Sequence, residues 1–107
     1  MNDEQVASHM ATYRLAALPG DGTGREVMRE ALRVLSVFEE NSPLSFEIKE
    51  IPCGGQYYLE TGEEWPAGSF EYCRDESDAI LLGAIGWPDA RLPNGDMAGG
   101  QTILGLR

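Results

Sequence analysis

Two glycine-punctuated bends and one terminal arginine are the parts of this chain best equipped for chemistry. The first bend, LPGDGTGREV, runs from Leu18 to Val27 and places Gly20, Gly22 and Gly24 at alternate positions after a short apolar run. Side chains at those positions would obstruct a sharp strand-to-helix turn. The second, DAILLGAIGWP from Asp78 to Pro88, is an apolar run that leaves through Gly83, Gly86 and Pro88 and stays glycine-rich to Gly100. In open α/β sheets ligands lie outside the carboxyl ends of the strands, where both bends fall. Arg107 stands one helical turn beyond Ile103 on the same face. An arginine beside a ligand loop can clamp a carboxylate through two parallel hydrogen bonds.

Each feature also has a plainer reading. Tight strand-to-helix turns need glycine whatever they bind, a long loop can be a mere connection, and a lone arginine is commonly a solvated surface residue. The first bend also lacks the spacing of the usual dinucleotide motif, because Arg25 follows Gly24 where G-x-G-x-x-G requires its third glycine. No G-x-x-x-x-G-K-[ST] phosphate loop occurs. The acids, among them Glu26, Glu30, Glu63, Glu64 and Asp75, show no metal-ligand or acid–base spacing and read as solvated. Cys53 and Cys73 accompany a single histidine, His9, so no metal-binding pattern exists within the chain. With no export signal, both cysteines are expected to be reduced thiols of a cytoplasmic protein.

The elements that must position these residues follow from apolar periodicity. Tyr13–Leu18 reads as a strand. Thr23 and Glu26 have the spacing of a capping box, and Val27, Met28, Ala31, Leu32, Leu35 and Phe38 recur at helical spacing, predicting a helix from about Gly24 to Glu40. Leu44, Phe46 and Ile48 alternate with polar residues, as in a strand with one wet face near a sheet edge. Pro66 is placed to open a short helix carrying Phe70, Tyr72 and Cys73. Ala79–Ile85 is continuously apolar, as in a strand covered on both faces. Asp89–Gly100 reads as a flexible loop, and Thr102–Arg107 as the first turns of another helix. The order β-α-β-α-β-α favours a parallel wound sheet, and a small two-layer fold complete in itself is the alternative.

Composition narrows the function classes. Of 107 residues, 42% are hydrophobic and 24% charged, as in a globular domain. Eight basic against 18 acidic residues give a net charge of −10, the wrong sign for non-specific binding to nucleic acid or anionic membrane. No apolar run approaches the roughly 18 residues of a membrane span. Residues 1–11 are expected to form a disordered leader, or in part an upstream misassigned start, with residues 12–107 forming the ordered unit.

Four segments in order, LPGDGTGREVMREALRVL, GGQYYLETGEEWP, SDAILLGAIGWPD and TILGLR, resemble the amino-terminal part of the β-decarboxylating dehydrogenase family, which includes isopropylmalate, isocitrate, homoisocitrate and tartrate/malate dehydrogenases. The resemblance runs from Tyr13 to Arg107. It implies an α/β fold that is not an ordinary Rossmann domain, of which this chain supplies an incomplete parallel-sheet layer. Residues 12–107 would then be the first portion of the first of two domains. The resemblance further implies an enzyme that oxidises a 2-hydroxy diacid with NAD or NADP and decarboxylates the product with Mg²⁺ or Mn²⁺. It implies a homodimer when full length. The family's catalytic lysine and tyrosine and its metal-binding aspartates are expected after Arg107, so catalytic residues and metal ligands are expected to be absent from this chain and the 107 residues alone to be inactive.

Carried over by position, Arg107 matches a substrate arginine and Ile103 the residue that reads the substrate's side group. The loop through Gly86, Trp87 and Pro88, with Gly100 and Gln101, matches the cofactor-proximal region, and the GDGTG turn lies near the adenosine. Isocitrate enzymes place a polar residue at the position of Ile103. An isoleucine suits an isopropyl group instead, since burying a charge against it is costly. This favours 3-isopropylmalate, and hence leucine biosynthesis, ahead of malate or tartrate. One departure stands against that substrate: Gly100 occupies the place where isopropylmalate enzymes usually carry a glutamate. The rival readings are a nucleotide- or anion-binding module without catalysis, and a non-functional gene fragment.

Overall fold

The computed structural model describes residues 11–106, apart from the side chain of Gln101. The leader 1–10, His9 included, and Arg107 lie outside the described residues.

Three parallel strands form one sheet in the order β2-β1-β3. Strand β1 (Ala11–Leu18) lies in the middle, paired with β2 (Leu44–Glu50) from Ala11↔Leu44 to Ala17↔Glu50 and with β3 (Ala79–Leu82) from Leu15↔Ala79 to Leu18↔Leu82. The strand starts ahead of the expected Tyr13, and Ala11, assigned above to the leader, is paired because its N–H reaches the Pro43 carbonyl at 3.1 Å. Burial is concentrated in its second half, where Leu15, Ala16, Ala17 and Leu18 are all inside. At its wet end Arg14 meets Glu47 across the strands at 3.4 Å, and Asp78 binds the Arg14 main chain through both its carboxylate and its N–H, fixing the start of β3.

Helix α1 (Thr23–Asn41) follows the first bend. The expected capping box does not form. Gly22 is the N-cap, Thr23 already lies in the helix, and no side chain caps it. The exposed amides are met by main chain instead, Gly24 N–H on Asp21 O at 2.9 Å and Arg25 N–H on Gly22 O at 3.1 Å. Only Gly24 and Met28 of this helix are buried. Val27, expected on the core face, is 64% exposed and Phe38 55%, so α1 covers the sheet with a narrow strip.

Two short helices connect β2 to β3. Helix α2 (Gly55–Thr61) occupies a stretch to which apolar periodicity assigns no element, and α3 (Ser69–Asp75) begins after Gly68, with Pro66 in the preceding turn accepting from Ser69. The core of Ala16, Leu18, Ile51, Cys53 and Cys73 is flanked by Trp65, Tyr72, Ile85 and Leu106. Lys49 Nζ lies 4.4 Å from the centre of the Tyr72 ring and closes one side.

The sheet carries the β2 edge that the sequence suggests. β3 differs from expectation. It is only four residues long and has a single neighbour among the described residues, with Ile80 37% and Leu82 43% exposed. The segment after it is no slack loop. Leu92 N–H bonds Asp96 O at 2.8 Å, Ala98 N–H bonds Ala90 O at 2.9 Å, and Arg91 bridges Met97, folding 90–98 into a small antiparallel excursion. Helix α4 (Gly100–Leu106) follows. No helix among the described residues is long and apolar enough to cross a membrane.

The two core cysteines are free thiols. Burial is the main cause that pushes Cys53 up from 9.0 to about 11, only partly offset by a hydrogen bond with the Gly20 backbone, and burial also raises Cys73. A thiol that ionises less readily folded than unfolded adds stability in full below about pH 9 and loses it as pH rises towards 11. Alkylation of the native chain at pH 8 should therefore be at least about tenfold slower than in denaturant, since the thiolate is the reacting form. Equal rates would place Cys53 outside the core.

Candidate functional site at the strand exits

The carboxyl ends of β1 and β3 meet through backbone alone. A Cβ on Gly20 would come within 2.1 Å of the Ala84 carbonyl, and one on Gly83 within 2.1 Å of the Pro19 carbonyl. Leu18 O accepts from Gly83 N–H and Ala84 O from Asp21 N–H, both at 2.7 Å. The glycines let two strand exits touch with no side chain between them. Gly20 also has φ +79°, a conformation costly for any other residue.

Asp21 ties the bends together. It is almost fully buried. One oxygen accepts from Gly55 N–H at 2.9 Å and from Gly86 N–H at 2.8 Å; the other accepts from Gln56 N–H at 2.8 Å. Gln56 returns the link, its Oε1 accepting from Gly22 N–H at 3.0 Å. A buried carboxylate needs such partners, and backbone amides supply them without a cation. The same bonds satisfy the first amides of α2 and so anchor its start. Gly54 must stay bare for this, because a Cβ there would sit 2.6 Å from the carboxylate.

Around this knot the expected site residues fall into two groups. Gly86 and Trp87 lie beside it, Trp87 against Gly55 and within 3.7 Å of where a Gly22 Cβ would stand. Pro88 is exposed next to them, its carbonyl accepting from Arg91 Nε at 3.1 Å. The start of α4 is brought to the same end of the sheet. Gly99 is pressed against Ile85 and Gly54, and its N–H is held by a Glu64 carboxylate oxygen. Glu64 O also accepts from Gly54 N–H at 2.9 Å. Gly100 thus follows directly on a residue packed against the β3 exit, with nothing within 4 Å of where its Cβ would be. Ile103 is half-buried on α4. The side chain of Gln101 and the whole of Arg107 lie outside the described residues.

Sequence reasoning passed over Asp21, Gln56 and Glu64. The partners of Asp21 stand up to 65 positions away, beyond any local pattern. Among the described residues no group of three His, Cys, Asp or Glu could hold a metal ion, so no chemical step is assigned to a metal on these residues. For a dinucleotide the observation is narrower: Gly86, Trp87 and Gly100 are half-buried, and nothing stands within 4 Å of where a Gly100 Cβ would be. Thr102, fully buried one turn into α4, has a hydroxyl with no partner among the described residues.

Comparison with known proteins agrees with this architecture. The family model for isocitrate/isopropylmalate dehydrogenase matches residues 14–107. A 3-isopropylmalate dehydrogenase of Gloeobacter violaceus is 37% identical over 95 residues, covering 89% of this chain and 26% of the relative. One from Buchnera aphidicola subsp. Uroleucon helianthicola is 46% identical over 98 residues, with the same coverages. The crystal structure of an apo β-decarboxylating dehydrogenase from Thermococcus kodakarensis superimposes with a TM-score of 0.65 at 30% identity, over 88% of this chain and 26% of that one. The chain thus spans about a quarter of the length of these relatives. A parallel sheet knotted at its glycine exits, the four ordered segments and these matches together make the chain a member of the isocitrate/isopropylmalate dehydrogenase family.

Proposed function

We propose that this chain is the amino-terminal part of a cytoplasmic, homodimeric enzyme that oxidises and decarboxylates 3-isopropylmalate with NAD, in the presence of Mg²⁺ or Mn²⁺. The observation that carries the proposal is the knot at the strand exits. It holds Gly86, Trp87 and the start of α4 at one end of the sheet, the end where open α/β sheets bind ligands. The names of the relatives supply the substrate.

In this reading Asp21 fixes the Gly86–Trp87–Pro88 backbone, and Gly100 and Gln101 continue the surface that would follow the dinucleotide. Ile103 offers hydrocarbon to the substrate's isopropyl group and makes a second carboxylate there unfavourable. Arg107 holds a carboxylate of the substrate through its planar fork. A dinucleotide held by these residues would supply the hydride acceptor for the carbon that bears the substrate's hydroxyl. A substrate malate or tartrate fits the same Arg107 but leaves the hydrocarbon at Ile103 without a partner.

A chimera tests the reading. Residues 12–107 replace the matching segment of the Gloeobacter violaceus relative, and folding is checked by thermal unfolding. The chimera should produce NADH from 3-isopropylmalate with Mg²⁺ and strongly prefer it to isocitrate, while the 107 residues alone should produce none. A folded chimera that prefers isocitrate or malate would overturn the substrate assignment, and turnover by the 107 residues would overturn the division of the site.

A further inference from the structure

The antiparallel excursion 90–98 closes on a chemically labile pair. Leu92–Gly95 is a turn in which Gly95 N–H donates to Leu92 O at 2.8 Å, Pro93 stands at the second position that its ring suits, and Gly95 takes φ +92°. Leu92 N–H on Asp96 O and the Arg91–Met97 bridge join the turn to the ladder that ends with Ala98 N–H on Ala90 O. Asn94 and Gly95 are both exposed, and nothing lies within 4 Å of where a Gly95 Cβ would be. Of the asparagines Asn2, Asn41 and Asn94, only Asn94 precedes a glycine.

Asp96 grips the Asn94 side chain from two sides. Its N–H donates to Asn94 Oδ1 at 3.0 Å, and Asn94 Nδ2 donates to its Oδ2 at 3.2 Å. The donor on Oδ1 sits where negative charge develops when a nucleophile adds to Asn94 Cγ. The nucleophile in reach is the Gly95 nitrogen, tethered through the Asn94 backbone, and glycine leaves that nitrogen without a flanking side chain. Its hydrogen bond to Leu92 O must open first. An exposed turn held by few contacts opens at small cost.

We propose that Asn94–Gly95 is a self-modification site, at which Asn94 converts to aspartate and isoaspartate at a rate set by the opening of its own turn. The Gly95 nitrogen loses its proton to hydroxide and bonds to Asn94 Cγ. The Cγ–Nδ2 bond breaks, and the nitrogen takes a proton from water and leaves as ammonia. Water then opens the five-membered imide, at Cγ to give aspartate or at the Asn94 backbone carbonyl to give isoaspartate. The sum is amide plus water to carboxylic acid plus ammonia, with no change in oxidation state. Either product adds a negative charge to a chain of net charge −10 and removes the Nδ2 donor from Asp96. Aspartate sets a second carboxylate against the first, and isoaspartate reroutes the main chain through Cγ. The excursion is thereby unlocked just ahead of Gly99 and α4. The proposed dehydrogenase activity plays no part in this inference.

Ageing the full chain at mildly alkaline pH tests it, with peptide mapping for a gain of one mass unit and separation of the aspartyl and isoaspartyl forms. In the native chain Asn94 should convert while Asn41, whose Nδ2 is held by Val37 O at 2.8 Å, stays an amide. Denaturing urea should speed conversion at Asn94 by about tenfold, the worth of one hydrogen bond. Pro93→Ala, which loosens the turn, should speed it about threefold in the native chain and leave it unchanged in urea. The converted chain, isolated by anion exchange, should exchange its Leu92 and Gly95 amide hydrogens faster than the parent. The inference is overturned by an Asn94 that stays an amide, by conversion no faster than at Asn41, or by equal rates with and without urea. A Pro93→Ala chain that converts at the parent's rate, or a product with unchanged exchange, overturns it too.

Discussion

Replacing Asp21 with alanine should cost about 4 kcal/mol of folding stability, a large share of the roughly 5–15 kcal/mol available to a chain of this size. The carboxylate meets Gly55, Gln56 and Gly86 amides within 2.9 Å. Its loss leaves three donors in a region too crowded to hydrate freely, and each unmet buried group costs roughly 1–3 kcal/mol. Asp21→Asn separates geometry from size. The amide oxygen can still serve Gly55 and Gly86, while its NH₂ opposes the Gln56 N–H, so the expected loss is about 2 kcal/mol. Urea unfolding monitored by tryptophan emission measures both, and hydrogen exchange at Gly86 should accelerate in Asp21→Asn more than exchange within β1. A loss below about 0.5 kcal/mol in both variants would mean that the knot is decorative.

The second large effect is expected at Gly83. A methyl group there lands 2.1 Å from the Pro19 carbonyl and 3.2 Å from Gly24 O, both backbone atoms that cannot rotate aside. Gly83→Ala should therefore push the exits of β1 and β3 apart at a cost of about 3 kcal/mol or more, at the upper end of overpacking penalties. Gly62→Ala is the control. It has φ +81° with nothing within 4 Å, so it suffers backbone strain without collision and should lose only about 1 kcal/mol. Thermal unfolding of the pair distinguishes the two. Equal losses would show that conformational freedom, and not close approach, is what the strand-exit glycine provides.

These two positions also show where sequence reasoning reaches and where it stops. The run Leu15–Leu18 reads as a buried strand because every side chain in it is apolar, and it is buried. Alternation at Leu44, Phe46 and Ile48 marks an edge strand, and β2 is one. Glycine spacing likewise announces the bends. What local pattern could not supply was any feature created by distant contact. Gly55–Thr61 has its first amides met by a carboxylate from another segment, which no pattern around Tyr57 and Tyr58 announces. Thr23 lies inside α1, where Gly24 and Arg25 N–H donate to the Asp21 and Gly22 carbonyls in place of a side-chain cap.

Distant contact likewise decides which apolar side chains are covered. Val27, Val34 and Phe38 repeat at helical spacing, yet all three are more than half exposed. Ile80 and Leu82 on β3 are open at a strand edge that has no neighbour among the described residues. Periodicity records which residues are made for burial, while burial itself depends on what is packed against them. At the candidate site, the Gly86 loop and the start of α4 were expected together from a resemblance, and the fold places them at one end of the sheet. The substrate roles of Ile103 and Arg107 remain part of the proposal.

The central proposal is that the backbone beside the Asp21 knot receives the dinucleotide. Titrating the isotope-labelled chain with NADH and mapping amide shifts tests it most directly. The account predicts the largest saturable shifts at Gly22, Gly86, Trp87 and Gly100, abolished by Asp21→Asn under conditions where that variant is still folded. Shifts confined to α1, or none at saturating NADH, would contradict it.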